Sequence, residues 1–168
     1  MTNDPKIEAA LLRKRYTSGQ IPVPVESIAK AKGIRVETLS LYDELSGMAF
    51  VKDGVAVIVV NSNHHINRRR FTIAHELAHH IFDTEYLNNN VHVDKVIYRN
   101  PVSAEGTDRK EIRANKFAAE LLMPTDELKK FRKVDINDDA VIQAIAKKLK
   151  VSAAALTYQL INAGQAKD

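Results

Sequence analysis

The segment Phe71-Thr72-Ile73-Ala74-His75-Glu76-Leu77-Ala78-His79-His80 constrains this chain more than any other, because it carries the pattern H-E-x-x-H inside a helical stretch. Side chains four residues apart lie on one face of an α-helix, about one turn from each other, so the His75 and His79 imidazoles can point at one metal ion. Phe71, Ala74, Leu77, Ala78 and Ile81 form an apolar stripe, while Thr72, His75, Glu76 and His79 gather on the adjoining face. The expected element is an amphipathic helix whose polar face carries the chemistry. A solvated helix with two exposed histidines is the competing reading, and it leaves the stripe unexplained.

Glu76 has a different task from the histidines beside it. Zinc lowers the pKa of a bound water from about 15.7 to about 7, and a carboxylate within hydrogen-bond reach can take the proton as the water attacks a carbonyl. H-E-x-x-H is a signature of metallopeptidases for this reason. A catalytic zinc takes three protein ligands and keeps one position open. The candidates for the third are His80, His92, Asp94, Glu105, Asp108, Glu111 and Glu120. His80 follows His79 directly and is rotated about 100° around the helix, away from the site. Glu111 is the best candidate: Ala114 and Ala118 share its face, so a helix carrying it can approach the metal helix closely.

A chain of 168 residues suffices for one domain with a sizeable core. No apolar run approaches the length of about 18 residues that a membrane span requires. The start, Met1-Thr2-Asn3-Asp4-Pro5, lacks the basic and apolar regions of a secretory signal, so a cytoplasmic protein is expected. The absence of cysteine excludes disulfides, thiolate nucleophiles and zinc fingers. The net charge of +4 permits nucleic-acid binding without demanding it. Its basic runs, at 68–70, 129–133 and 147–150, read as solvated faces.

Periodicity predicts helices over 6–16 and 25–32, the second closed by Gly33. Alternation then predicts a strand over 34–39, and Asp53-Gly54 between two apolar runs predicts a β-hairpin of 48–51 with 55–60. Asn67 is the expected N-cap of the metal helix, which runs to about Phe82. Arg68, Arg69 and Arg70 then fall in its first turn, where the helix dipole disfavours cations, and Asp43 or Glu44 could offset them. The stretch 83–107 reads as irregular apart from a short β-like piece at 91–93, and could wall a cleft. Helices follow over 108–122, from Asp126 with Thr125 as cap, and over 139–149 and 152–163.

The segment from Phe71 to His79, followed by Glu111-Ile112-Arg113-Ala114-Asn115-Lys116-Phe117-Ala118-Ala119-Glu120-Leu121-Leu122-Met123-Pro124, closely resembles the ImmA/IrrE family of zinc metallopeptidases. The resemblance extends to the pattern around Pro24 to Ile34, to Ser46-Gly47 and to Val151-Ser152, and covers roughly residues 20–163. It implies a thermolysin-like zincin core, zinc held by His75, His79 and Glu111, and Glu76 as general base. It also implies a protein substrate, since characterised members cut a partner transcriptional repressor in DNA-damage or mobile-element circuits. The radiation-response members carry a C-terminal sensor domain, and some relatives carry an N-terminal DNA-binding domain; this chain is expected to have neither.

The combined expectation is an α+β, zincin-like domain: a small antiparallel or mixed sheet, a metal-binding helix and a C-terminal helical part resembling helix-turn-helix. One domain is expected over 1–168, with 1–124 as the zincin-like core and 125–168 as a helical subdomain. The expected function is zinc-dependent, site-specific endoproteolysis of a helix-turn-helix repressor. The rival is a regulator with structural zinc that holds a repressor or antitoxin without cutting it, or the toxin of a toxin-antitoxin pair. In the C-terminal pair, Thr157, Gln159 and Asn162 are the few base-reading candidates, so a structural or docking role is favoured over DNA contact. Tyr86, His92, Tyr98 and Tyr158 are candidate oxyanion donors, and Asn115 and Asp108 candidate partners for the metal-binding histidines. Nothing in the sequence fixes an oligomeric state.

Overall fold

The computed structural model describes residues 3–96, 109–131 and 133–164. Helix α1 spans Pro5–Tyr16; Asp4 caps it by accepting from the Lys6 and Ile7 amides, and Pro5 supplies the fixed φ that suits a first turn. Helix α2, Val25–Ala31, ends before Gly33, whose φ of 77° is the left-handed conformation that closes a helix at no steric cost.

Three strands follow: β1 at Arg35–Leu39, β2 at Leu45–Lys52 and β3 at Val55–Asn61. The β2–β3 hairpin turns on Asp53 and Gly54, both at positive φ, as the Asp-Gly pair leads one to expect. Strand β4, His92–Lys95, adds antiparallel to the other side of β2, and β1 pairs parallel to β3. The sheet is therefore mixed, in the order β1-β3-β2-β4.

Helix α3, Ile66–Phe82, lies across β2 and β3 and packs on its other side against α5, Arg109–Leu122. Close approach to the sheet depends on Gly47. A Cβ there would sit 2.5 Å from Thr72 Cγ2 and 2.6 Å from the Val59 carbonyl oxygen. The rest of the chain comprises α4 at Thr84–Leu87, α6 at Thr125–Leu128 with a 3-10 turn over Lys129–Phe131, α7 at Asp139–Leu149 and α8 at Ala153–Asn162. One apolar core joins α1, α2, β3, α3, α5, α6, α7 and α8, with Ile28, Ile58, Leu77, Phe117, Leu121, Leu156 and Leu160 fully buried. The chain is thus α+β, with the mixed sheet, the H-E-x-x-H helix and the C-terminal helix pair that the sequence led us to expect.

Four local expectations are corrected. The N-cap of α3 is His65, whose Nδ1 accepts from the Asn67 amide; the Asn67 side chain donates instead to the Val151 carbonyl. Arg70 is offset by carbonyls, not by Asp43 or Glu44: it donates to Val23 O at 2.7 Å and to Lys150 O, at the electronegative C-terminus of α7, at 3.2 Å. The stretch after Phe82 is more regular than expected, since it holds α4 before β4, the strand that takes the place of the β-like piece expected at 91–93. Thr125 opens α6 without capping it, because its hydroxyl donates to Glu120 Oε2. Glu105, Asp108 and Tyr98 lie outside the described residues.

In the helix pair α7–α8, Asp138 and Ser152 supply side-chain caps and Lys150 takes the left-handed C-cap. Gln159 is buried and donates to the Met123 carbonyl, so it faces the core and not an outer partner. Among the described residues, no helix is long and apolar enough to cross a membrane.

Candidate metal centre

Residues 72–79 of α3 are all buried, because the sheet covers one side of the helix and α5 the other. The polar face read from the sequence is therefore not a solvent face. It is enclosed, and most of its groups pair with one another, whereas Glu76 Oε1 and Glu111 Oε2 do not. The third element of the site is the first turn of α5, which brings Glu111 to the two histidines: Glu111 Oε2 lies 3.2 Å from His75 Nε2, and Oε1 lies 3.4 Å from His79 Nε2. The two Nε2 atoms are themselves 3.2 Å apart.

The outer edges of both rings decide which atoms carry protons. His75 Nδ1 is 2.9 Å from Asn115 Oδ1, and His79 Nδ1 is 3.0 Å from Asp83 Oδ2. Each Nδ1 faces an oxygen acceptor, so the neutral rings hold their proton there and turn the Nε2 lone pairs inward. Two imidazole acceptors and a carboxylate then converge with no donor among them. Glu111 Oε2 is buried without a hydrogen-bond partner despite the nearby His75 nitrogen. This is repulsive unless a proton or a metal cation lies between them, and two imidazoles with one carboxylate are a donor set that fits a metal ion.

Asp83 is anchored by Arg113 of α5 at 2.8 Å and by Lys110 at 3.9 Å. Arg113 also stacks over Phe82, 4.7 Å from the ring centre. The partner of His79 is thereby tied to the helix that carries Glu111. Burial works to raise the Asp83 carboxyl, but His79, Arg113 and Lys110 outweigh it and hold it below its ordinary value.

Strand β4 completes the cluster. His92 and Asp94 alternate with exposed Val93 and Lys95, so both point toward α3. His92 Nδ1 lies 2.8 Å from Glu76 Oε2 and Nε2 lies 2.8 Å from Glu111 Oε1, with the ring stacked on His79 at 3.8 Å. Burial alone would lower the His92 imidazolium, but its bonds to Glu111 and Glu76 prevail and it is pushed up to about 10. Burial likewise works to raise Glu111 and Glu76, and the surrounding histidines lower both. His75, His79, His92 and Glu111 have ligating atoms within 4.8 Å of one another and could hold a metal ion; His75, Glu76 and Asp94 form a second such group.

Glu76 is fully buried, and its two oxygens differ. Oε2 is held by His92, whereas Oε1 has no hydrogen-bond partner. His80 points away, 2.9 Å from the Val57 carbonyl, as its rotation around the helix requires. Glu120 is bonded to Thr125 and paired with Arg13, outside the cluster. Tyr86 and Tyr158 are exposed, and Lys110 stacks over the Tyr86 ring. The structure thus brings together His75, Glu76, His79 and Glu111 and adds His92, Asp94, Asn115 and Asp83. Of these, Asp83 was missed, although its i, i+4 spacing from His79 is the same signal that pairs His75 with His79.

Comparison with known proteins bears on this arrangement. No curated protein sequence matches the chain. Among solved structures, a Mycobacterium tuberculosis transcriptional regulator is similar in fold, with a TM-score of 0.56 at 16% identity, over 95% of this chain and 47% of that one. This chain thus spans about half the length of that regulator. The IrrE N-terminal-like domain family, Peptidase_M78, matches residues 29–160, which include the whole His/Glu cluster. On that match, the chain belongs to the IrrE N-terminal-like domain family of Peptidase_M78.

Proposed function

We propose that the chain is a zinc-dependent endopeptidase that cuts a partner protein at a specific bond, the partner being a helix-turn-helix transcriptional repressor. The observation that carries this reading is Glu76: a fully buried carboxylate with one oxygen held and the other without a partner, beside three converging acceptors. A purely structural metal site has no use for such a group.

His75, His79 and Glu111 would hold the ion, and two imidazoles with one carboxylate are a donor set that zinc accepts. Zinc bound there would supply Lewis acidity toward water and toward a peptide carbonyl. The chain's own part is proton traffic. Glu76 Oε1 takes the proton of the attacking water and then returns it to the leaving amine. Asn115 and Asp83 fix the two imidazoles with Nδ1 protonated and Nε2 free, which is the tautomer a ligand requires. The close packing of α3 between sheet and α5 holds these groups in register.

The whole chain acts as one unit in the cytoplasm, with 1–124 as the peptidase core and 125–168 as a helical subdomain packed on it. The continuity of the apolar core from α1 to α8 supports this. The exposed side of α8, with Tyr158 and Ile161, suits protein docking better than base reading.

The test is incubation of the zinc-loaded protein with a helix-turn-helix repressor, chosen from the neighbouring genes where one is encoded there, analysed by intact mass, alongside Glu76→Gln. We expect one cut by the wild type and none by the variant, with zinc content equal in both. Cleavage retained by Glu76→Gln would remove the assigned base. Stable association without cutting by either protein would favour the regulator that holds its partner.

A further inference from the structure

We propose that His92, on the edge strand β4, is the positioning residue that holds the Glu76 carboxylate in place for proton transfer. The inference rests on the peptidase reading above and adds a residue to it. Its basis is the asymmetry of Glu76. A carboxylate buried with no exposed atom has two oxygens that could face the reacting water, and a swing about its last torsion would exchange them. His92 Nδ1, 2.8 Å from Oε2, removes that freedom and leaves Oε1 as the oxygen without a partner. The remaining contacts fix the imidazole itself: the ring stacks on His79 at 3.8 Å, and its backbone is paired opposite Ala49 of β2.

The two edges of the ring have separable roles. Nε2 meets Glu111 Oε1 at 2.8 Å, and this is the contact for which a cation drawn to Glu111 competes. Nδ1 lies on the opposite edge and its bond to Glu76 is independent of that competition. The alternative is that His92 is a fourth ligand. That role would fall to Nε2, since Nδ1 is occupied by Glu76, and it would close the coordination that hydrolysis needs open.

Asparagine and glutamine separate these roles, because an asparagine amide nitrogen reaches the position of Nδ1 and a glutamine amide nitrogen that of Nε2. With the repressor as substrate and zinc saturating, His92→Ala and His92→Gln should lose roughly 100-fold in kcat, the scale on which a misplacement of about 1 Å acts. His92→Asn should recover most of that loss. Zinc affinity, measured by competition with a chromophoric chelator, should change less than about threefold in all three, against a collapse in His75→Ala. A drop for His92→Ala comparable to that of His75→Ala would make His92 a ligand and overturn the proposal. So would His92→Asn performing no better than His92→Gln.

A readout without turnover keeps this separate from the peptidase reading. In the zinc-loaded protein, the His92 Nδ1 proton resonance should shift on Glu76→Gln, whether or not any substrate is cut. An unchanged resonance would show that the bond is absent in the loaded protein and would overturn the proposal by itself.

Discussion

Gly47→Ala tests whether the seating of α3 on the sheet controls the metal cluster. The added Cβ would meet Thr72 Cγ2 at 2.5 Å and the Val59 carbonyl oxygen at 2.6 Å. The first clash is with a side chain of α3, but the second is with the Val59 backbone near one end of the β2–β3 ladder, which yields only if β2 or β3 moves. Overpacking of this kind costs about 1–3 kcal/mol. For a chain of this size each kcal/mol lowers Tm by roughly 2–4 °C, so a loss of about 2–12 °C is expected. The functional loss should be larger in proportion. Thr72 lies one turn before Glu76 on α3, and Gly47 pairs with Asp94 on β4, two residues from His92. A shift of about 1 Å between α3 and the sheet separates Glu76 from His92 and should lower cleavage by about 100-fold. Thermal melts followed by circular dichroism, with cleavage assayed well below the transition, separate the two effects. Adding Thr72→Ser should restore only part of the stability, since the carbonyl contact remains. A Gly47→Ala protein that melts within about 1 °C of wild type and cuts at the same rate would refute the reasoning.

Other substitutions probe the supports of the cluster. Asp83→Ala should weaken zinc binding by about 10- to 100-fold, the usual effect of removing the partner of a ligand histidine, and Asp83→Asn should restore part of it; chelator competition measures both. The Asp83 carboxyl titrates below its ordinary 3.8, so its stabilisation is complete above that value and is lost as the pH falls through the folded-state pKa. Asp83→Asn should therefore flatten the fall of Tm on acidification below about pH 4. Leu121→Ala, at a fully buried position of α5, should cost about 2–5 kcal/mol in urea unfolding; a cost under about 1 kcal/mol would mean that α5 is not anchored by this core.

The sequence disclosed most where the physics is local. His75, Glu76 and His79 are legible because helical spacing alone places them together, and the Asp53-Gly54 turn because only residues tolerant of positive φ fit it. Glu111 was legible from the small residues on its helix face and from family resemblance. The burial of the polar face of α3 was not, since the sheet and α5 that enclose it come from distant parts of the chain. His92 stood among several possible donors because its role depends on the register of β4 against β2, which periodicity over four residues cannot fix. The cap and arginine contacts at the start of α3 depend on Val23, Lys150 and Val151, and only the folded chain brings those carbonyls within reach.

The most direct test of the account is diffraction from zinc-loaded crystals at the zinc absorption edge. One anomalous peak is expected, held by His75 Nε2, His79 Nε2 and Glu111, with Glu76 outside the coordination and still bonded to His92. A peak held by His92 as a fourth protein ligand, or by Glu76 and Asp94, would contradict it.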